Sequence, residues 1–331
     1  MLLTDVFSAE AVASVRTSDV SNSMAYAGLA FFPNKKKTGI DLKWIKTHKG
    51  LGVALKPSAF DGMATIRARK GFKVTNEEMP LFRESMVVKE QDLAEITRAQ
   101  ESNDPYLNEV LSHIYDDTNE LIDGADIAAE RMRMQLLAPV GGDMKIVIGT
   151  ADNVAYNYSY DPNGDWKAKH YASLEGTSTW DKADTSKPLN DIQKGINYLT
   201  DIGVSPMYAM MTSKTFNYLI ENSQIKNAII TISGRTIDFV SKQVVKEVFQ
   251  SQTGLIPILY DKKFEDYDGK DKSFYPDDYV TIIGEGQLGN TWYGVTPEER
   301  TLLGDPSVDV SVLDDTGVAI AVKSEYGPPV S

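Results

Sequence analysis

The 331-residue sequence has no cysteine and only three histidines. Without cysteine there are no disulfides, zinc–thiolate centres or cysteine nucleophiles. The absence fits a reducing compartment. His48, His113 and His170 are far apart, and none lies in a HExxH or HxH spacing. The chain has no GxSxG elbow and no phosphate-binding GxxxxGK[ST] loop. No apolar run reaches the roughly 18 residues of a membrane span. Met1-Leu2-Leu3-Thr4-Asp5 lacks a basic segment leading into an apolar one, so no signal peptide is read there. Basic residues are in deficit, 34 against 47 acids, a net charge of −13 that argues against nucleic acid as the main partner. With 42% hydrophobic and 24% charged residues, the composition is that of a globular protein. At roughly 150 residues per domain, the length suggests two domains.

The charge is unevenly spread. Eleven basic residues lie between Lys35 and Lys73, opposed only by Asp41 and Asp61, so this segment carries +9 and the rest of the chain −22. From Val74 to Gln135, fifteen acids meet five bases, a net of −10. Opposite patches on one chain attract within it or between copies. An unevenly charged solvated surface is a second reading. Nucleic-acid binding by the basic segment is a third, opposed by the charge of the whole particle.

Residues 1–34 are small and polar and read as an extended arm, ending in Phe31-Phe32-Pro33-Asn34. Two adjacent phenylalanines must pack on something, and another chain is one option. Residues 40–90 read as β-structure. Leu51 to Pro57 is a strand, Ser58-Ala59-Phe60-Asp61-Gly62 a turn, and Ala64 to Lys70 alternates small or apolar with basic residues. Together they predict a long basic hairpin. A lone two-stranded hairpin is marginal in water and needs a surface to lie on.

The spacing predicts a long helix over 104–137. Asp104 is its N-cap and Pro105 takes its first turn. Leu107, Leu111, Ile114, Leu121, Ala125, Ala128, Met132 and Leu136 form the apolar face. Glu109, Asp116, Asp117, Glu120, Asp123, Asp126 and Glu130 are assigned to the opposite face, and Pro139 with Gly141-Gly142 ends the helix. At 1.5 Å per residue the helix is roughly 50 Å long.

Beyond it the chain reads as a mixed body, α+β in class. Strands are predicted at 144–149, through Tyr156, Tyr158 and Tyr160, and at 255–260, 279–283 and 318–322. Helices are predicted at 188–202, 213–223 and around 244–249.

Several motifs do not carry chemistry. Gly284-Glu285-Gly286-Gln287-Leu288-Gly289 matches a dinucleotide fingerprint, but the residues after it read as a strand rather than a helix N-terminus, and Glu285 is negative. Asp266, Asp268 and Asp271 around Gly269, and Asp161 to Asp165 around Gly164, read as solvated turns rather than calcium loops. Carboxylate pairs such as Glu298-Glu299 do not stand out as an acid–base couple. No catalytic residue, cofactor or metal ligand is assigned.

The order of parts resembles the lambda-like major capsid protein E family of tailed bacteriophages. The likeness is carried by Asp41-Leu42-Lys43-Trp44-Ile45, by Ala54 to Asp61, by Pro80-Leu81-Phe82-Arg83-Glu84-Ser85-Met86, and by Trp180-Asp181 with Pro188 and Asp191-Ile192. Phe274-Tyr275-Pro276-Asp277-Asp278 and Tyr293 to Glu299 complete it. The resemblance implies a Hong Kong 97-type major capsid protein fold. Its N-terminal arm would be 1–37 and its E-loop 38–85. The P-domain would be 86–185 plus 286–331, with a spine helix at about 104–137, and the A-domain 186–285.

It also implies hexamers and pentamers of an icosahedral shell enclosing double-stranded DNA, a virion location and assembly in the host cytoplasm. Scaffolding, portal and decoration proteins would be its partners, with no membrane and no enzymatic activity. Within that frame, the basic hairpin (Lys56, Arg67, Arg69, Lys70, Lys73) is expected to rest on a neighbour's acidic helix face (Glu109, Asp116, Asp117, Glu120, Asp123). An encapsulin-like compartment, which shares the fold, and an enzyme with an unrecognised site remain open at this point.

Overall fold

The computed structural model describes residues 25–37, 41–46, 73–78, 80–82, 123–149, 156–233, 240–266, 269–294 and 318–324. The predicted strands at 51–57 and 64–70, the turn between them, and the helix over 104–122 lie outside the described residues.

The chain enters through a one-turn helix, α1 (Ala27–Phe31), and then strand β1 (Asn34–Lys37). The sequence predicted an extended arm over 1–34; the end of that segment is instead helical and packed. Phe31 and Phe32 are buried in this chain's own core, so they need no second chain to cover them. β1 runs parallel to β12 (Gly289–Gly294), with Asn34 opposite Thr291 and Lys37 opposite Gly294. β13 (Val318–Ser324) and β4 (Leu81–Phe82) complete a four-stranded sheet in the order β1-β12-β13-β4. Segments from both ends of the chain therefore share one sheet.

Strands β2 (Asp41–Lys46) and β3 (Lys73–Glu78) pair antiparallel, from Asp41 opposite Glu78 to Lys46 opposite Lys73. They lie within the 40–90 segment read as β-structure. The helix designated α2 is described from 123 to 137. Ala129, Met132, Leu136 and Leu137 on it are buried. It stops at Pro139, after which Gly141 and Gly142 take φ of 65° and 77°. Only glycine serves at 142, because a Cβ there would lie 2.6 Å from the Tyr171 ring.

β5 (Lys145–Ile148) and β6 (Tyr156–Ser159) form a hairpin against α2. The Gln135 side chain fixes it by accepting from Val147 N–H at 2.8 Å and donating to Val147 C=O at 3.1 Å. A short helix, α3 (Lys167–His170), follows a turn in which Asp161 accepts from the Trp166 and Lys167 amides, each at 3.0 Å.

A second core lies beyond α4 (Pro188–Asp201), which buries Ile192 and Leu199. The order there is β7 (Pro206–Met211), α5 (Ser213–Glu221), α6 (Ser223–Ser233), α7 (Lys242–Thr253) and β8 (Ile256–Leu259). β7 is the middle strand of a sheet ordered β11-β7-β8, where β11 is Thr281–Gly284; it is antiparallel to β11 and parallel to β8. Thr212 and Ser241 cap α5 and α7, and Gly254 in the left-handed region ends α7. The sequence reading has no counterpart for α6.

The two cores share β7. Ala209 and Met211 face the second core, whereas Met210 faces the first, as strand alternation requires. Buried Tyr275 locks the seam: its hydroxyl donates to Met210 C=O at 3.0 Å and lies 2.7 Å from Thr281 Oγ1, which donates to Leu137 C=O. Among the described residues no helix is long and apolar enough to cross a membrane.

Candidate functional site

The feature most unlike an ordinary core is a buried charged node on α2. The sequence pattern places Glu130 on the solvated acidic face, but it is 0% exposed and Arg133 is 2% exposed. They form an ion pair at 3.2 Å, one helical step apart. Burying either charge alone is costly, so each must be fully partnered. Glu130 Oε1 accepts from the Gly28 amide at 2.8 Å and the Tyr260 hydroxyl at 2.9 Å. Arg133 Nε donates to Thr291 Oγ1 at 2.9 Å, and its Nη2 to Asn34 Oδ1 at 2.7 Å. Thr291 Oγ1 then donates to Phe32 C=O at 2.8 Å.

Every partner outside α2 belongs to α1–β1, to β12 or to the chain just after β8. The node thus fastens the N-terminal segment to the helix and to the sheet. Two backbone bonds add to it: Leu288 N–H to Phe31 C=O and Thr291 N–H to Pro33 C=O, each 3.0 Å. Gly28 is the closest approach. A Cβ there would lie 2.7 Å from Glu130 Oε2 and 2.9 Å from Arg133 Cβ. Gly28→Ala is therefore expected to cost about 1–3 kcal/mol, read as a lowered denaturant midpoint with an unchanged slope.

A hairpin of β9 (Lys263–Glu265) and β10 (Asp271–Ser273) closes over the same helix. Lys262 Nζ sits 3.5 Å from the centre of the Tyr26 ring, and Arg131 lies over the Phe264 ring at 5.4 Å. Asp266, read in the sequence as part of a solvated turn, accepts from Arg131 at 3.1 Å and pairs with Lys272. Among the described residues no cluster of His, Asp and Glu is arranged to hold a metal. Asp268 lies outside the described residues.

The Tyr26 hydroxyl is pushed up to about 12, first by burial and then by Asp123, Asp126 and Glu130, with Arg133 opposing. Burial and Glu130 push Tyr260 up as well. An unfolded tyrosine ionises near 10. The contribution of Tyr26 is thus fully present below pH 10 and is lost as pH rises towards 12. Stability is expected to fall over that interval, and Tyr26→Phe to make the fall shallower in a pH series of thermal melts.

Of the residues chosen from sequence, Asp123 is exposed at the start of the described part of α2, and Lys73 begins β3 at the far end of the described ladder. Lys56, Arg67, Arg69, Lys70, Glu109, Asp116, Asp117 and Glu120 lie outside the described residues, as do His48, His113 and Glu298-Glu299. The β2–β3 register adds a fact of its own. It sets Lys46 opposite Lys73 at one end and Asp41 opposite Glu78 at the other.

The structure places a strand, β12, after the Gly284–Gly289 motif, as its sequence suggested. A Cβ at Gly284 would meet Val204 at 2.8 Å, so this glycine serves packing. The Glu130–Arg133 node was missed. Its signal is a charged pair three apart inside the apolar run Ala128 to Ala138.

Comparison with known proteins gives three findings. A family model described as "Phage major capsid protein E" matches residues 26–325. A crystal structure of a phage-related protein from Bordetella bronchiseptica RB50 aligns with a TM-score of 0.50 at 12% identity, covering 96% of this chain and 93% of that one. A candidate capsid protein from a prophage of Escherichia coli CFT073 aligns with a TM-score of 0.41 at 14% identity, over 70% of this chain and 67% of that one. No curated protein sequence matches.

Proposed function

This chain belongs to the phage major capsid protein E family, and from that premise we propose that it builds a closed icosahedral head of hexamers and pentamers around double-stranded DNA. The family is structural rather than enzymatic, and its members self-assemble into the virion shell. The observation that carries the finer reading is the family match over residues 26–325 on a chain whose charge is split +9 against −22. In this reading the fold is of the Hong Kong 97 type. Residues 1–37 are the arm, 38–85 the E-loop, 86–185 with 286–331 the P-domain, and 186–285 the A-domain.

The arm's end is fastened at the Glu130 node. The E-loop projects from the β2–β3 base and lies on a neighbour's acidic helix face. Each exposed pair contributes about 0–1 kcal/mol. Many such contacts closed in a ring give a stable shell from individually correctable steps. Scaffolding, portal and decoration proteins are the further partners, and the host cytoplasm is the place of assembly. Electron microscopy of the purified protein tests the proposal. Uniform closed shells tens of nanometres across are expected. A monomer or dimer that never assembles, alone or with a scaffolding protein, would overturn it.

A further inference from the structure

A cleft of about 780 Å³ opens between the segment after α3 and the second core. Five tyrosine and tryptophan rings line it, Tyr171, Trp180, Tyr198, Tyr218 and Tyr279, together with the His170 imidazole. Its size falls within the roughly 300–1,000 Å³ of ligand sites. The walls are preformed. Trp180 Nε1 donates to Asp191 Oδ2 at 3.3 Å. The wall segment is tied back by Asn222 Nδ2, which donates to Ala183 C=O at 3.1 Å and Ser186 Oγ at 2.9 Å.

On the opposite rim Asp278 has a φ of 64°, the one positive value among described residues other than glycine. Its amide donates to Thr215 Oγ1 at 2.9 Å, which fixes it there. The floor is closed where Gly195 meets Ile282; a Cβ on Gly195 would lie 2.6 Å from Ile282 Cδ1. A rigid trough of tyrosine and tryptophan between fixed walls is the surface that proline-containing extended peptides recognise. Proline rings stack on aromatic faces, and the preset backbone loses little entropy on docking.

We propose that the cleft binds a proline-containing extended segment, and that its occupant is this chain's own Tyr326-Gly327-Pro328-Pro329-Val330. That segment holds the one Pro-Pro pair in the sequence. It lies outside the described residues and follows directly on β13, whose last residue, Ser324, pairs with Gly289. Gly289 is five residues along the chain from β11, whose Ile282 lines the cleft. Pro328 and Pro329 lie four and five residues beyond Ser324, so when extended they reach up to about 18 Å from it. A tethered segment acts at an effective concentration in the millimolar range, so a weak site is enough.

The test uses unassembled subunits, so it does not depend on shell formation. A peptide of residues 324–331 is titrated into a chain ending at Ser324 and into the full chain, following tryptophan fluorescence and calorimetry. The shortened chain is expected to bind, and the full chain to bind at least tenfold more weakly. Trp180→Phe in the shortened chain is expected to lose most of the fluorescence change. A peptide with alanine at 328 and 329 is expected to bind about tenfold more weakly, 1.4 kcal/mol. Circular dichroism of each variant confirms folding.

Equal binding to both chains, or none to the shortened one, overturns the proposal. So does an alanine peptide that binds as well as the original. If the full chain excludes the peptide only as protein concentration rises, the occupant is a neighbour's segment, and the assignment to this chain's own tail fails.

Discussion

A chain carrying Arg67→Glu, Arg69→Glu and Lys70→Glu is expected to fold normally and to form no shells. The three residues fall in the period-two stretch Ala64 to Lys70, within the segment that carries +9. Each reversal replaces an attraction of about 0–1 kcal/mol by a repulsion of similar size against a neighbour's acidic helix face. One such change would be tolerated. Three on one hairpin, repeated in every subunit of a closed ring, act on every contact at once. On the proposed placement these charges project from the subunit, and its stability should not move, because surface charge changes contribute little to folding.

Sedimentation and electron microscopy read assembly, and circular dichroism reads the fold. Raising salt should weaken wild-type assembly in the same direction, since exposed pairs are screened beyond about 10 Å at 0.1 M. Adding Asp116→Lys, Asp117→Lys and Glu120→Lys to the same chain should restore shells. Normal shells from the triple glutamate chain would refute the pairing.

How far the sequence could be read depended on what kind of force made each element. α4, α5 and α7 were legible because their apolar positions recur at helical spacing and begin at Pro188, Thr212 and Ser241. α6 was not, since it starts directly after α5 at Ser223, with only Asn222 between them, and no breaker separates the two. β7 was hidden for a different reason. Pro206-Met207-Tyr208-Ala209-Met210-Met211 is apolar throughout because its two faces serve two cores, so there is no alternation to detect.

The helical end of the arm could not be found from local pattern. α1 has no side-chain cap, and contacts more than a hundred residues away hold it. The misplacing of Glu130 has the same origin. A carboxylate in an acidic stretch is normally solvated, and only the arrival of Gly28, Tyr260 and Arg133 offsets the cost of burying it. The β-structure read over 40–90 is seen where Asp41–Lys46 pairs with Lys73–Glu78; the strands read at 51–57 and 64–70 lie outside the described residues. Its charged tip and the acidic helix face remain a proposal.

Glu130→Ala is expected to be the most damaging single change at the node, about 3–5 kcal/mol. It removes the acceptor of the Gly28 amide and the Tyr260 hydroxyl and leaves Arg133, 2% exposed, without its carboxylate. Against a total stability of about 5–15 kcal/mol the loss is a large fraction. It should also have a location. Amide exchange in 25–37 should accelerate more than exchange in α4–α7, because the node holds the arm and not the second core.

A cycle separates the pair from its surroundings. Arg133→Met alone strands Glu130. Glu130→Gln combined with Arg133→Met removes both charges, while the amide oxygen of the introduced glutamine can still accept from Gly28. If the two charges mainly satisfy each other, the double variant is less destabilised than the sum of the singles by about 1–3 kcal/mol. A strictly additive cycle would mean that Arg133 is held by Thr291 and Asn34 independently of Glu130. The arm would then have two separate fastenings instead of one coupled node. A Glu130→Ala cost below about 1 kcal/mol, with unchanged exchange at 25–37, would show that the backbone bonds of Phe31 and Pro33 suffice to hold the arm.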